Sequence, residues 1–227
     1  MTETRETVYA ERRAAAWARY TAAARTAWAE YETDKQVGWG LPYWQEVAAR
    51  AVGQYGAMQD PIELAALLGI LMSQVGPRTV LEIGTGSGGS AWAWCQLPDV
   101  THVVTVDIRP GLVDLSWARP TVAVDLVAGA SHSLDTLAKV AVKLDGEHPD
   151  LLFIDGDHSG PMPAKDVDNY APLVAPGGVV VLHDTRGCPG RYDIEVWPVF
   201  QQLRRGRPSL ELAVHPTGPF GTGIVWM

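Results

Sequence analysis

The feature that most constrains the fold is an alternation, from Arg78 onwards, of short apolar runs with stretches of helical character. The apolar runs are Thr79–Ile83, His102–Val106, Thr121–Val127, Leu151–Ile154, Val179–Leu182, Leu210–Val214 and Gly223–Trp226. The helical stretches between the first five runs are Gly89–Gln96, Ser131–Leu144 and Pro163–Leu173, with a weaker one at Leu112–Ala118. Such alternation is typical of an α/β fold, in which helices cover both faces of a mostly parallel sheet. Residues 195–204 suit a further helix, and the last two runs suit a C-terminal hairpin that departs from the parallel arrangement, so we expect about seven strands.

The region before this alternation predicts helices only. Small and aromatic residues recur there at three- and four-residue steps, as they do on one face of a helix. This stripe comprises Ala14, Trp17, Tyr20, Ala24, Trp28 and Tyr31. A second helix is expected after Pro42, and Asp60 with Pro61 predicts the capped start of a third helix over Ile62–Gln74.

These patterns divide the chain into a helical N-terminal extension, residues 1–60, and a main domain, residues 61–227. We expect the aromatic stripe to pack on the main domain or on a second subunit, which favours a homodimer. Trp39, Tyr43 and Trp44 are candidates for a lid over a small-molecule acceptor.

Composition and charge exclude several kinds of partner. The 227 residues include 18 Lys and Arg against 26 Asp and Glu, and no basic stripe that would bind nucleic acid is visible. The longest apolar stretch, Ile62 to Met72, falls far short of the ~20 residues that a membrane span needs. Two cysteines are too few for a disulfide framework, and the N-terminus lacks the apolar core of a secretion signal. We therefore expect a cytoplasmic protein with no nucleic-acid or membrane partner.

A glycine-rich loop follows the first apolar run and precedes a helix. Gly84, Gly86 and Gly89 satisfy the pattern G-x-G-x-x-G, and Asp107 follows about 20 residues later, at the end of the next run. In this context the glycines let a ligand approach the backbone and a helix N-terminus, and the acid accepts ribose hydroxyls. The loop alone is compatible with a nicotinamide dinucleotide.

Glu82 favours a different cofactor. It stands two residues before the first glycine, where we expect its carboxylate to lie beside the ligand. A pyrophosphate would be repelled there, whereas the cationic ammonium end of S-adenosylmethionine would be attracted. The predicted cofactor is therefore S-adenosylmethionine.

Acidic and histidine side chains follow two further apolar runs. Asp155, Asp157 and His158 come after Leu151–Ile154, and the pair His183-Asp184 comes after Val179–Leu182. Because active sites of open α/β sheets lie beyond the carboxyl ends of the strands, Asp155, His183 and Asp184 are candidates to surround one cation. A divalent ion lowers the pKa of a bound hydroxyl, and a histidine can take the proton, which is chemistry that methyl transfer to oxygen needs.

The segment Val80–Gly178 resembles class I S-adenosylmethionine-dependent O-methyltransferases of the catechol and metal-dependent antibiotic-sugar types. Leu81 to Gly84 with Ser90 is similar to the first motif of the catechol type. Residues 129–132, Gly-Ala-Ser-His, resemble its adenine-edge segment, with histidine in place of the usual glutamine. The resemblance implies a Rossmann-like, mostly parallel seven-stranded sheet flanked by helices. The cofactor-binding residues that it implies are Gln59, Glu82, Gly84, Thr85, Gly86, Ser90, Asp107, Ile108, Ser131, His132 and Asp155.

The same resemblance implies roles for the strand-end residues. The antibiotic-sugar type carries Asp-Gly-x-His after this strand, which matches a metal-ligand Asp155 and a base His158. The departure is His183, since the related families have an acidic pair or Asp-Asn where this chain has His183-Asp184. With Asp155, His183 and Asp184 as ligands, imidazole shifts the preference from magnesium towards manganese, iron or zinc. Alternatively, no metal binds and His183 is itself a base or a hydrogen-bond donor.

The sequence thus predicts an enzyme that moves a methyl group from S-adenosylmethionine to a hydroxyl of a natural-product, sugar or phenolic acceptor, with Asp155 and His158 as catalytic residues. Two alternatives stay open. One is an NAD-dependent oxidoreductase, against which stands the absence of a Tyr-x-x-x-Lys pair. The other is a cofactor-binding protein of the same fold without methyl transfer.

Overall fold

The computed structural model describes residues 41–109, 118–186, 194–214 and 220–227. The aromatic stripe of residues 14–31 and Trp39 lie outside the described residues, as does all but the last residue of the weaker helix predicted at Leu112–Ala118.

A seven-stranded, mostly parallel sheet forms the centre of the fold, as the sequence predicts. The strands are β1 (Thr79–Ile83), β2 (His102–Asp107), β3 (Ala123–Ala128), β4 (Leu151–Ile154), β5 (Val179–His183), β6 (Ser209–Leu212) and β7 (Thr222–Trp226). Their order across the sheet is β3-β2-β1-β4-β5-β7-β6. The first five strands pair in parallel, and β7 lies antiparallel to both β5 and β6.

The register of the parallel strands determines where the site lies. Ile83 at the end of β1 pairs with Val106 of β2 on one side and with Ile154 of β4 on the other. Ile154 in turn pairs with Leu182 of β5. The loops that leave these four strands therefore begin side by side along one edge of the sheet, which is where open α/β folds bind ligands.

Helices cover both faces of the sheet. They are α1 (Leu41–Gly53), α2 (Pro61–Ile70), α3 (Gly89–Trp94), α4 (Leu134–Leu144), α5 (Met162–Tyr170) and α6 (Val196–Leu203). Buried residues of α1, α2 and α3 share one core with Val80, Phe153 and Val181. Buried residues of α4, α5 and α6 share a second core with Leu81 and Leu152. Because successive strand residues point to opposite faces, the two cores lie on opposite sides of the sheet.

Several helix boundaries differ from the sequence prediction, and local hydrogen bonds explain two of them. The helix expected over Ile62–Gln74 becomes π-helical over Leu71–Val75 and ends at Gly76, whose left-handed backbone lets its N–H bond to the carbonyl of Leu71. The helix expected from Ser131 begins at Leu134, because the side chain of Ser133 accepts the N–H of Thr136 as an N-cap.

The pair Asp60 and Pro61 opens α2 as predicted. The carboxylate of Asp60 accepts the N–H groups of Ile62 and Glu63, and Pro61 is the first helical residue. This fixes the preceding residues 56–59 at the edge of the sheet where the parallel strands end. Within the described parts of the chain, the longest and most apolar helices fall short of what a membrane crossing requires.

Candidate functional site

A cavity of about 650 Å³ lies at the carboxyl edge of the parallel strands. It is lined by residues 56–59, 83–87, 89–90, 107–109, 129–132 and 155–157. Ten of the eleven residues that the sequence predicts to bind the cofactor line this cavity. They are Gln59, Gly84, Thr85, Gly86, Ser90, Asp107, Ile108, Ser131, His132 and Asp155.

Two other backbone segments approach the glycine loop closely, one at Gly84 and one at Gly89. A Cβ on Gly84 would lie 2.1 Å from the carbonyl oxygen of Asp155, and the φ angle of this glycine is +97°. A Cβ on Gly89 would lie 2.2 Å from the backbone nitrogen of Ala57. Side chains at either position would therefore force apart the segments that form the cavity wall.

Asp107 sits at the end of β2 and organises the loop as well as facing the cavity. One carboxylate oxygen accepts the N–H of Gly86 at 2.9 Å, and the other accepts the N–H of Arg109 at 2.7 Å. Its neighbour Ile108 is 65% exposed at the rim of the cavity. An exposed apolar side chain in this place is a surface that a bound planar group would cover.

Glu82, which the sequence predicts to lie beside the ligand, is fully buried and is not among the residues that line the cavity. The side chains of even-numbered β1 residues point towards α3, where Trp94 donates its indole N–H to Glu82 at 2.9 Å. The hydroxyl of Thr105 on β2 donates to the other carboxylate oxygen. Burial raises the pKa of Glu82 to about 7, against hydrogen bonds from Ser90, Thr105 and Trp94 that lower it. Glu82 therefore reaches the cavity only through its neighbours.

Thr105 is a residue that the sequence analysis missed. Its hydroxyl lies 2.6 Å from that of Thr85, which lines the cavity, so Thr85, Thr105 and Glu82 form a buried hydrogen-bonded chain. The available signal was a single polar residue inside the apolar run of β2.

Asp155 lines the cavity and pairs with His158, which lies just outside the lining. Nε2 of His158 is 3.0 Å from Oδ1 of Asp155 and 3.5 Å from Oδ2 of Asp184. Burial alone would raise the pKa of Asp155, but the adjacent His183 and His158 hold it well below its usual value. Burial likewise opposes the charged form of His158, yet the hydrogen bond and charge of Asp155 raise its pKa above the ordinary value.

The amide of Gln59 approaches the same carboxylate from the other side. Its Nε2 donates to Oδ2 of Asp155 at 2.5 Å, and Gln59 itself is buried. The segment before α2 thus contacts the residue that follows β4.

His183 lies next to this pair but deeper in the protein. Its Nδ1 is 3.1 Å from Oδ1 of Asp155, and the ring packs near those of Phe153 and Phe220. Burial opposes the charge of His183, but Asp155 and Asp184 raise its pKa to about 9. The residue is 2% exposed, and within the described part of the chain its Nε2 has no hydrogen-bond partner.

The side chains that converge as potential cation ligands are Asp155, His158 and Asp184, whose ligand atoms all lie within 4.8 Å of one another. His158 thus joins the predicted Asp155 and Asp184 in this group. Nδ1 of His183, the third predicted ligand, lies 3.1 Å from Oδ1 of Asp155 and 3.6 Å from Oδ1 of Asp184. His183 is the last residue of β5, and its ring lies on the buried side of the sheet with Phe153. Two carboxylates with an imidazole fit a divalent cation, and Oδ1 of Asp184 is buried without accepting a hydrogen bond in the described residues.

The loop after β5 is described only at its start. Nε of Arg186 lies 3.4 Å from a carboxylate oxygen of Glu211 on β6. Cys188, Arg191 and Tyr192, which the sequence places in the same loop, are outside the described residues.

Comparison with known proteins finds a family that part of the chain resembles. Residues 81–185 match the model of a methyltransferase domain family. The chain is 33% identical over 153 residues to a probable O-methyltransferase of Mycobacterium tuberculosis, a match that covers 62% of this chain. It spans 65% of that relative, which is less than two thirds of its length.

Solved structures share the fold at lower sequence identity. An O-methyltransferase from Bacillus cereus in complex with SAH superposes with a TM-score of 0.60 at 22% identity, over 87% of this chain and 95% of its own. The MycE methyltransferase from the mycinamycin biosynthetic pathway, in complex with Mg and SAH, has a TM-score of 0.54 at 18% identity. That match covers 80% of this chain and 53% of MycE.

Proposed function

We propose, from the premise that residues 81–185 carry a methyltransferase domain of the class I type, that the protein transfers a methyl group from S-adenosylmethionine to a hydroxyl of a small-molecule acceptor. The observation that carries this proposal is the cavity itself. It joins a glycine loop, an acid at the end of β2 and Asp155 in one space, and His158 contacts Asp155 just outside its lining. The relatives named O-methyltransferases support the same reading.

The charge of the cavity supports S-adenosylmethionine over a dinucleotide. Its lining holds the carboxylates of Asp107, Asp155 and Asp157, against the single guanidinium of Arg109. This excess of negative charge attracts a sulfonium and an ammonium group and repels a pyrophosphate.

The lining also suggests how the cofactor lies. The loop of residues 84–90 would hold the methionine end, and Asp107 would accept the ribose hydroxyls next to it. The adenine ring would then lie against residues 129–132, with Ile108 covering one face of it. With the cofactor held by these residues, Asp155 and His158 would be the groups available to an acceptor hydroxyl next to the sulfonium methyl group.

His158 is the proposed base. With Nε2 held against Asp155, the ring presents Nδ1 to the acceptor hydroxyl, and the proton moves from that oxygen to Nδ1. The oxygen forms its new bond to the methyl carbon as the carbon–sulfur bond breaks, and S-adenosylhomocysteine leaves. Asp155 stabilises the imidazolium that results, and positioning of the two reactants supplies much of the rate.

We further propose that a divalent metal ion assists the transfer. Asp155 and Asp184 would hold the ion beside His158, and their carboxylate oxygens suit magnesium or manganese better than zinc or iron. When bound, such an ion lowers the pKa of the acceptor hydroxyl. The Mg in the MycE complex is consistent with this assignment. His183 is not needed as a ligand.

The assembly is proposed on the sequence pattern alone. We propose that residues 1–60 form a helical extension to the main domain of residues 61–227 and that the aromatic stripe contributes to a homodimer. Light scattering of the purified chain should give about twice the 24.6 kDa of one chain. A mass of one chain would contradict the dimer.

Methyl transfer is tested with S-adenosylmethionine that carries a labelled methyl group, offered with catechols, other phenols and sugar diols. Each acceptor is assayed after chelation and again with added Mg²⁺ or Mn²⁺. A labelled methyl ether formed only with intact protein supports the proposal. Tight cofactor binding without transfer to any member of the panel would favour a cofactor-binding protein without methyl transfer.

A further inference from the structure

A buried carboxylate stands behind the wall of the cavity, outside the residues assigned above. Asp166 lies on α5 and is 1% exposed. Its Oδ1 accepts a hydrogen bond from the hydroxyl of Ser131 at 2.6 Å. Ser131 belongs to the cavity lining, so the carboxylate holds the wall from outside.

Tyr170 contacts the backbone of Ser131. It lies one helical turn after Asp166, and its hydroxyl donates to the carbonyl oxygen of Ser131 at 2.6 Å. Residues four apart share one face of a helix, so α5 presents both groups to one partner. The side-chain hydroxyl and the main-chain carbonyl of Ser131 are both fixed by this helix.

Asp166 also lies close to a second turn of the cavity wall. A Cβ on Gly156 would be 3.5 Å from Oδ2 of Asp166. The carboxylate is therefore positioned between residues 129–132 on one side and residues 155–157 on the other.

A carboxylate in this position is unfavourable by itself. Burial raises the pKa of Asp166 to about 6, with the Ser131 hydrogen bond and the nearby His132 acting in the opposite direction. An apolar side chain would pack the helix without that desolvation penalty. The contact with Ser131 is thus what distinguishes aspartate from an apolar residue here.

We propose that Asp166 and Tyr170 are positioning residues that set the turn of residues 129–132 so that it distinguishes the base of the bound cofactor. They act through Ser131 and do not touch the cofactor themselves. The inference rests on the proposed function, in which the adenine ring lies against this turn. Its specific consequence is selectivity for adenine over hypoxanthine, which carries a carbonyl oxygen in place of the 6-amino group.

The test is calorimetric titration of the full chain with S-adenosylhomocysteine and, separately, with S-inosylhomocysteine. Asp166→Ala should weaken binding of S-adenosylhomocysteine by about tenfold or more, as expected for loss of a hydrogen bond to a charged group. The inosine analogue should lose less, so the ratio of the two dissociation constants falls. Asp166→Asn keeps an acceptor for the Ser131 hydroxyl and should restore the ratio. Tyr170→Phe should lower it through the backbone contact.

Ser133→Ala is the matched control. It removes the N-cap of α4 two residues beyond Ser131 and should lower the melting temperature without changing the ratio. If Asp166→Ala does not fold, Ser131→Ala makes the same test from the other side of the hydrogen bond.

Two results would overturn the inference. If Asp166→Ala lowers the melting temperature but keeps the wild-type ratio, the carboxylate is only structural, and the proposed function stands. If the wild-type chain binds neither compound, the proposed function fails and the inference fails with it.

Discussion

Nε2 of His158 lies 3.0 Å from Oδ1 of Asp155, three residues earlier in the chain, at the point where β4 reaches the cavity. This spacing orients one ring nitrogen towards the carboxylate and leaves the other for a reacting hydroxyl. The pair also lies beside Asp184, so the proposed base and the carboxylates of a candidate metal site lie together next to the cavity.

Replacement of His158 by alanine should separate catalysis from cofactor binding. We expect His158→Ala to lower kcat by about 10² to 10⁴, because the acceptor proton then has no positioned base. The dissociation constant of S-adenosylhomocysteine should stay unchanged, since His158 is outside the cavity lining. Turnover of an acceptor found with the labelled cofactor, together with calorimetry, provides both values. His148→Ala, an exposed histidine bonded to the carbonyl of Leu173, is the control and should change neither.

Replacement of Asp107 should act on binding. Asp107→Ala removes the acceptor for the ribose hydroxyls and two hydrogen bonds that shape the loop, so we expect affinity for S-adenosylhomocysteine to fall by about ten- to a hundredfold. Asp135→Asn removes the same charge from the exposed face of α4, where Asp135 pairs only with Lys139 among the contacts described, and should leave affinity unchanged. Equal loss in both variants would mean that net charge, not the position of Asp107, governs binding.

Glu82 predicts a pH dependence of stability. Its pKa is about 7 in the folded chain against about 4.5 when unfolded, so between these values the folded state binds more protons than the unfolded state. The free energy of unfolding should therefore fall as pH rises through this window, by on the order of 3 kcal/mol from this group. Glu82→Gln keeps acceptor and size but cannot titrate. Its stability relative to the wild type should rise between pH 5 and pH 8 in urea unfolding; a constant difference would show that Glu82 is ionised throughout.

The two possible sets of metal ligands predict different effects of substitution on metal binding. Because the ligand atoms of Asp155, His158 and Asp184 converge and His183 is only 2% exposed, Asp184→Asn should weaken binding of Mn²⁺ strongly, whereas His183→Gln should retain it. Binding is measured by calorimetry on chelator-treated protein, with far-UV circular dichroism to verify folding. Loss of Mn²⁺ binding in His183→Gln alone would restore the ligand set that the sequence suggested.

The sequence predicts the sheet well because apolar runs and intervening helices are long-range patterns that many residues share. It also predicts that Asp155 and Asp184 meet, since both follow parallel strands that end at one edge. The sequence does not predict features that depend on the direction of a single side chain. β1 is buried on both faces, so no alternation of polar and apolar residues shows that Glu82 points towards α3.

The same limit applies to the two histidines. His183 is the last residue of β5 and His158 lies in a loop, and both lie within 3.6 Å of a carboxylate oxygen of Asp184. The sequence does not show that His183 is buried while His158 is partly exposed. The hydrogen bond between Ser131 and Asp166 joins residues that are 35 apart in the chain, with α4 and β4 between them in sequence. An aspartate in a predicted helix is usually expected to be exposed, so the sequence pattern does not indicate this contact.

The identity of the cofactor is the central claim, and one calorimetric experiment tests it most directly. Chelator-treated protein is titrated with S-adenosylmethionine, and an identical sample is titrated with NADH. We predict micromolar binding of S-adenosylmethionine, equivalent to about −8 kcal/mol, and no binding of NADH. Binding of NADH alone would contradict the account and with it every role assigned to the cavity beyond the glycine loop.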